Sequence, residues 1–192
     1  MSFRTTVIVC LLVLTACRAN AENLLTNGGF EEGKKGPEGW MFVVWSSRPS
    51  RGAFEWTSDS KTGNRAAVLK GLENAGKEAV RGLIYHRPVK VKEGLHQLSG
   101  WYRSSGYCRP HLQVHLYKQD FALKQFGTPA EKIYRHLAPS ADWSPFKVDI
   151  NVKPGVRQAH VFLRASDIGT VAWDDVSLVR VDNPLSVRIF PA

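Results

Sequence analysis

Cysteine is scarce: the 192-residue chain has three, Cys10 and Cys17 lie in an apolar leader, and Cys108 is left without a partner. A disulfide framework is excluded, so the fold must hold through its own core. Cys108 reads as a half-buried strand-end residue rather than a reactive thiol. Long apolar runs are also missing. The run from Val7 to Leu14 is well short of the ~20 residues a membrane-spanning helix needs. Acidic residues are outnumbered, 17 against 26 Lys and Arg, for a net charge of +9. No Gly-x-Ser-x-Gly elbow, phosphate loop, internal repeat or low-complexity linker occurs, which removes serine-hydrolase and phosphate-loop nucleotide chemistry.

What is present points to an all-β chain. Sixteen Gly, ten Pro, six Trp, five Tyr and nine Phe are spread along its length, and 43% of residues are hydrophobic. That mixture favours many short strands and turns over long helices, at a length that suits one domain. We place this domain at residues 23–181, followed by a tail at 182–192.

Residues 1–21 have the form of an export signal, with Arg4 ahead of the apolar run. Two cleavage sites stay open. Ala19-Asn20-Ala21 would release a soluble protein beginning at Glu22, whereas Leu14-Thr15-Ala16-Cys17 resembles a bacterial lipobox that would leave an acylated Cys17. In both cases the domain works outside the cytoplasm, secreted or at the cell envelope. Loss of Arg4 and Arg18 with the leader leaves a charge of +7. Such a surface attracts polyanions. For an exported chain an acidic glycan or anionic wall polymer is a better partner than nucleic acid, and a merely solvated basic surface is the alternative. A monomer is expected.

Strands are expected at Asn23–Phe30, Trp40–Trp45, Phe54–Thr57, Arg65–Lys70, Gly82–His86, His96–Arg103, Pro110–Gln119, Trp143–Val152, Arg157–Ala165 and Val171–Val181. The alternation is cleanest in two of them. Leu112, Val114 and Leu116 share one face, with His111, Gln113, His115 and Tyr117 on the other; Ala159, Val161 and Leu163 oppose His160, Phe162 and Arg164. The apolar sets must face the core, so the polar sets line the far side of a sheet. Asp120–Ala141 looks irregular, a surface loop or lid with one helical turn possible at Thr128–Lys132.

Two stretches bracket the domain: Asn23-Leu24-Leu25-Thr26-Asn27-Gly28-Gly29-Phe30-Glu31-Glu32 and Val171-Ala172-Trp173-Asp174-Asp175-Val176-Ser177-Leu178-Val179. Each joins a short apolar segment to acidic residues at one edge, and together they look like two halves of one site that closes a sandwich. With Gly39-Trp40, Gly63-x-x-Ala66 and Leu98-Ser99-Gly100-Trp101-Tyr102-Arg103 between them, their order resembles a bacterial carbohydrate-binding module of the family 4, 9 and 22 type. The resemblance implies a galactose-binding-domain-like jelly roll: two facing antiparallel sheets, without catalytic activity of its own. It also implies a structural calcium ion tying the N-terminal turn to the last strand. Glu31, Asp174 and Asp175 would supply side-chain oxygens, and carbonyls near Gly29 and in Ser60–Asn64 the rest, the all-oxygen cage that calcium prefers. The other reading of Glu31 and Asp174 is that they accept hydrogen bonds from backbone amides.

Sugar recognition needs flat aromatic faces and planar polar groups. The candidate ligand-binding residues are Trp45, Trp101, Arg103, His111, Gln113, His115, Tyr117, His160, Phe162 and Arg164. A zinc site at His111 and His115 is disfavoured, because residues four apart on a strand lie ~13 Å apart. Glycoside hydrolysis would need two facing carboxylates, which this polar face lacks. The expected function is non-catalytic polysaccharide or glycan binding; a structural or adhesive envelope domain without sugar binding is the alternative.

Overall fold

A computed structural model describes residues 22–45, 52–71, 81–120 and 127–181. The leader with its two cleavage sites and the tail from residue 182 lie outside the described residues. Among the described residues there are eleven strands: β1 (Trp40–Trp45), β2 (Gly52–Thr57), β3 (Ala66–Gly71), β4 (Arg81–His86), β5 (Val89–Lys90), β6 (Gly94–Gly106), β7 (Arg109–Tyr117), β8 (Glu131–His136), β9 (Ser144–Val152), β10 (Gln158–Ser166) and β11 (Gly169–Arg180). The described residues contain no helix, and so none long and apolar enough to cross a membrane.

The strands form two antiparallel sheets. The first has the order β1-β4-β10-β7-β8, with the short β5 also paired to β10; the second has the order β2-β3-β11-β6-β9. Alternating side chains explain the packing. In β9, Phe146, Val148, Ile150 and Val152 are buried while Lys147, Asp149 and Asn151 face water. From the first sheet Leu112, Val114, Leu116, Val161, Leu163 and Ile84 enter the same core, where Trp173 and Leu98 arrive from the second. Each sheet thus commits one face to the core and leaves the other for solvent or ligand.

Two expectations change. Asn23–Phe30 is a series of turns rather than a strand, although Leu24 N–H donates to the Leu178 carbonyl at 2.8 Å and so borders β11. The stretch expected to be irregular contains β8, paired to β7 from His111↔His136 to Leu116↔Glu131. No helical turn forms at Thr128–Lys132. As an edge strand β8 needs only one apolar side chain, Ile133, against the core, so its alternation is faint.

Candidate carbohydrate-binding face

The outer face of the first sheet is set by register. Phe162 on β10 lies between Tyr85 on β4 and Gln113 on β7, and Gln113 in turn faces Tyr134 on β8. The row on one side of it is His160, His115 and Lys132; the row on the other side is Leu83, Arg164, His111 and His136. Because side chains alternate along every strand, all of these emerge on the side away from the core.

They frame a cavity of about 340 Å³ lined by Val43, Leu83, Tyr85, Gln113, His115, Tyr117, Gly127, Pro129, Lys132, Phe162 and Arg164. Its floor is more deeply buried than an open polar face would be: Gln113 is 4% exposed, Tyr117 3% and Phe162 5%. Tyr85 stacks near Phe162 with centroids 6.0 Å apart, and the His115 ring lies 4.7 Å from that of Phe162. Arg164 Nη1 donates to Gln113 Oε1 at 2.5 Å, which fixes the plane of both groups. His115 Nδ1 is 3.2 Å from the Tyr117 hydroxyl, while its buried Nε2 meets no hydrogen-bond partner among the described residues. Burial, then the charges of Lys132 and Arg164, hold the His115 pKa down at about 4. The ring is neutral at pH 7 and offers one nitrogen that can donate or accept.

Of the ten expected ligand residues, Gln113, His115, Tyr117, Phe162 and Arg164 line the cavity. His111 and His160 share the face but stand beside it. His111 Nδ1 donates to the Arg109 carbonyl at 3.3 Å and its ring lies 5.5 Å from that of His136. His160 packs 4.2 Å from Phe162, its pKa lowered to about 4 by burial and by neighbouring His115. Trp101 and Arg103 are on β6 in the second sheet and cannot join this site. There Lys61 Nζ sits 4.4 Å over the Trp101 ring, and Arg103 pairs with Asp59 while lying 5.0 Å over Trp143. Trp45 pairs with Arg81 at the sheet edge, but its side chain lies outside the described residues. Leu83, Tyr85 and Lys132 were missed. The alternation of Tyr85 with core-facing Ile84 could have found it; Lys132 was hidden with β8.

No family model matches the sequence, and no curated protein matches it. Solved structures do. The enzymatically active domain of tailspike protein 4 from bacteriophage CBA120 gives a TM-score of 0.64 at 14% identity over 83% of this chain, which spans 21% of that one. TmCBM61 gives 0.56 at 17% identity over 84% of this chain and 100% of that chain. Family 16 Carbohydrate Binding Module-2 gives 0.55 at 17% identity, with 82% and 100% covered. The chain has the carbohydrate-binding-module jelly-roll fold. At these identities the likeness concerns fold.

In this jelly roll the two bracketing stretches do meet. Asn23 Oδ1 accepts the N–H groups of Leu25 and Leu178, and Val176 N–H donates to the Gly28 carbonyl at 2.9 Å. A Cβ on Gly28 would stand 1.9 Å from the Val176 carbonyl oxygen, so only glycine fits. Phe30 holds φ of 58°, unusual for a bulky residue. Its ring packs 4.9 Å from Trp40, and its carbonyl accepts Trp56 Nε1–H at 2.7 Å, so the surroundings enforce the conformation.

The acidic residues close the clasp through a loop between β2 and β3. Glu31 accepts the N–H groups of Asn64 and Arg65 at 2.9–3.0 Å; Asp174 accepts those of Lys61, Thr62 and Asp175; Asp175 accepts the Thr62 hydroxyl. Burial pushes the Asp174 pKa up to about 6 against the pull of those N–H donors. The calcium implied by the resemblance needs these oxygens. They already accept N–H donors, and no group of three or more His, Cys, Asp or Glu suited to a metal exists among the described residues. As arranged, the clasp does not fit the ion, and no role is assigned to it.

Proposed function

We propose that the protein is an exported, non-catalytic carbohydrate-binding domain that holds an oligosaccharide segment of a polysaccharide on the outer face of the first sheet. One observation carries this reading: a 340 Å³ cavity joins aromatic surfaces, Tyr85 and Phe162, to hydrogen-bonding groups at fixed positions, Gln113, Arg164 and His115. A pyranose has the same two-sided character, C–H groups on its faces and hydroxyls around its rim. The fold neighbour TmCBM61 is described in complex with β-1,4-galactotriose, which supports the class of ligand. The leader, with Arg4 before an apolar run, supports export. The absence of catalysis is supported by the lining, since no carboxylate borders the cavity among the described residues to serve as acid or nucleophile.

Affinity electrophoresis through gels containing a broad panel of soluble polysaccharides tests the proposal. Retardation by at least one polymer, without its hydrolysis, is the expected result. Unretarded migration of folded protein through the whole panel contradicts it.

A further inference from the structure

The two sheets differ in charge. Strands of the first carry Arg81, Lys90, Arg109, Lys132, Arg135 and Arg164 against one carboxylate, Glu131, which pairs with Lys153 at 3.2 Å. In the second, four bases meet four acids. The contrast sharpens at the cavities. One of about 330 Å³ on the second sheet is bordered by Lys70 and Arg103, and each has its own carboxylate there, Glu55 and Asp59. The cavity on the first sheet is bordered by Lys132 and Arg164 with no carboxylate among its described lining residues. Lys132 makes no ion pair among the described residues. His115 stands between them, its pKa lowered first by burial and then by the charges of Lys132 and Arg164.

Resting on the sugar-binding reading above, we infer that this cavity takes an acidic sugar, one bearing a carboxylate or sulfate, with Lys132 and Arg164 as the counter-charges. A neutral glycan can use these two side chains only as hydrogen-bond donors to its hydroxyls and draws nothing from their charge. An anion in a partly desolvated cavity gains charge-assisted hydrogen bonds about twice as strong as neutral ones. Aromatic Tyr85 and Phe162 hold the ring; the cations select its charge.

Affinity electrophoresis with a polyuronate, the same polymer after reduction of its carboxylates to alcohols, and a sulfated polysaccharide tests the assignment. Retention by the polyuronate or the sulfated polymer is expected, the two arms showing which anion is preferred. The reduced polymer should bind at least about tenfold more weakly, and rising salt should release the acidic ones. Lys132→Met, at an exposed position on an edge strand, should lose about tenfold in affinity with an unchanged melting temperature. Lys70→Met on the second sheet should bind as the parent does. Equal retention by the reduced and acidic polymers overturns the acidic-sugar assignment and leaves the sugar site standing. Retention by no polymer overturns both. Acidic binding lost in Lys70→Met but kept in Lys132→Met moves the site to the other sheet and overturns the assignment.

Discussion

At the scale of single residues, the histidines set the response to acid. His115 and His160, both held near pKa 4, and His86, His96 and His111, lowered mainly by burial, bind protons less readily folded than unfolded. Below the ordinary value of 6.5 the unfolded chain takes up more protons, so stability falls with pH, and for His115 and His160 the loss is complete near pH 4. Asp174 works in the other direction, its raised pKa favouring the folded state as pH drops from about 6 toward 3.8. Five histidines outweigh one carboxylate. The urea midpoint should decline from pH 7 to pH 4.5, and His115→Gln with His160→Gln should flatten that decline. A midpoint constant over this range would show that these rings are not buried as neutral groups. Gly28 makes a second test: Gly28→Ala drives a methyl into the Val176 carbonyl and should cost about 3 kcal/mol in chemical denaturation. A loss within ~0.5 kcal/mol, the range of neutral surface substitutions, would mean that the turn and β11 can separate freely.

At the scale of elements, the clasp joins the N-terminal turns, the loop before β3 and the bulge in β11 between Asp174 and Ser177. Asp174→Ala removes the acceptor of three N–H groups from a site with no exposure and should cost about 3 kcal/mol. A chelator should leave the melting temperature unchanged, whereas a fall of several degrees would restore calcium to the clasp. The motif Asn27-Gly28-Gly29-Phe30-Glu31 and the acidic pair at Asp174 announced this meeting of chain ends. What the chain could not display was the partner, because the loop contributes backbone N–H groups, which have no side-chain signature. In β8, likewise, Lys132 and Tyr134 are legible as outer-face residues only after Ile133 is seen against the core. Alternation in β7 and β10 placed Gln113, His115, Tyr117, Phe162 and Arg164 on the face away from the core, where the structure has them. Trp101 and Arg103 lie on β6 in the other sheet, since a strand's periodicity names a face and not which sheet owns it.

At the scale of the whole molecule, one sandwich carries a charge-balanced sheet and a basic sheet, and the cavity with an aromatic floor lies on the basic one. The outer face of β10 is buried although its alternation suggests exposure, with His160 and Phe162 at 2% and 5%. That burial is what converts a polar strand face into a shaped site. The most direct test is a calorimetric titration with the polysaccharide that the parent protein holds best. Gln113→Leu keeps the side-chain volume while removing both amide atoms and should lower affinity at least about tenfold, because the site then loses a fixed hydrogen-bonding group. Ser105→Ala on the second sheet should bind like the parent. Unchanged affinity in Gln113→Leu, or a loss confined to Ser105→Ala, would contradict the placement of the site on the outer face of the first sheet.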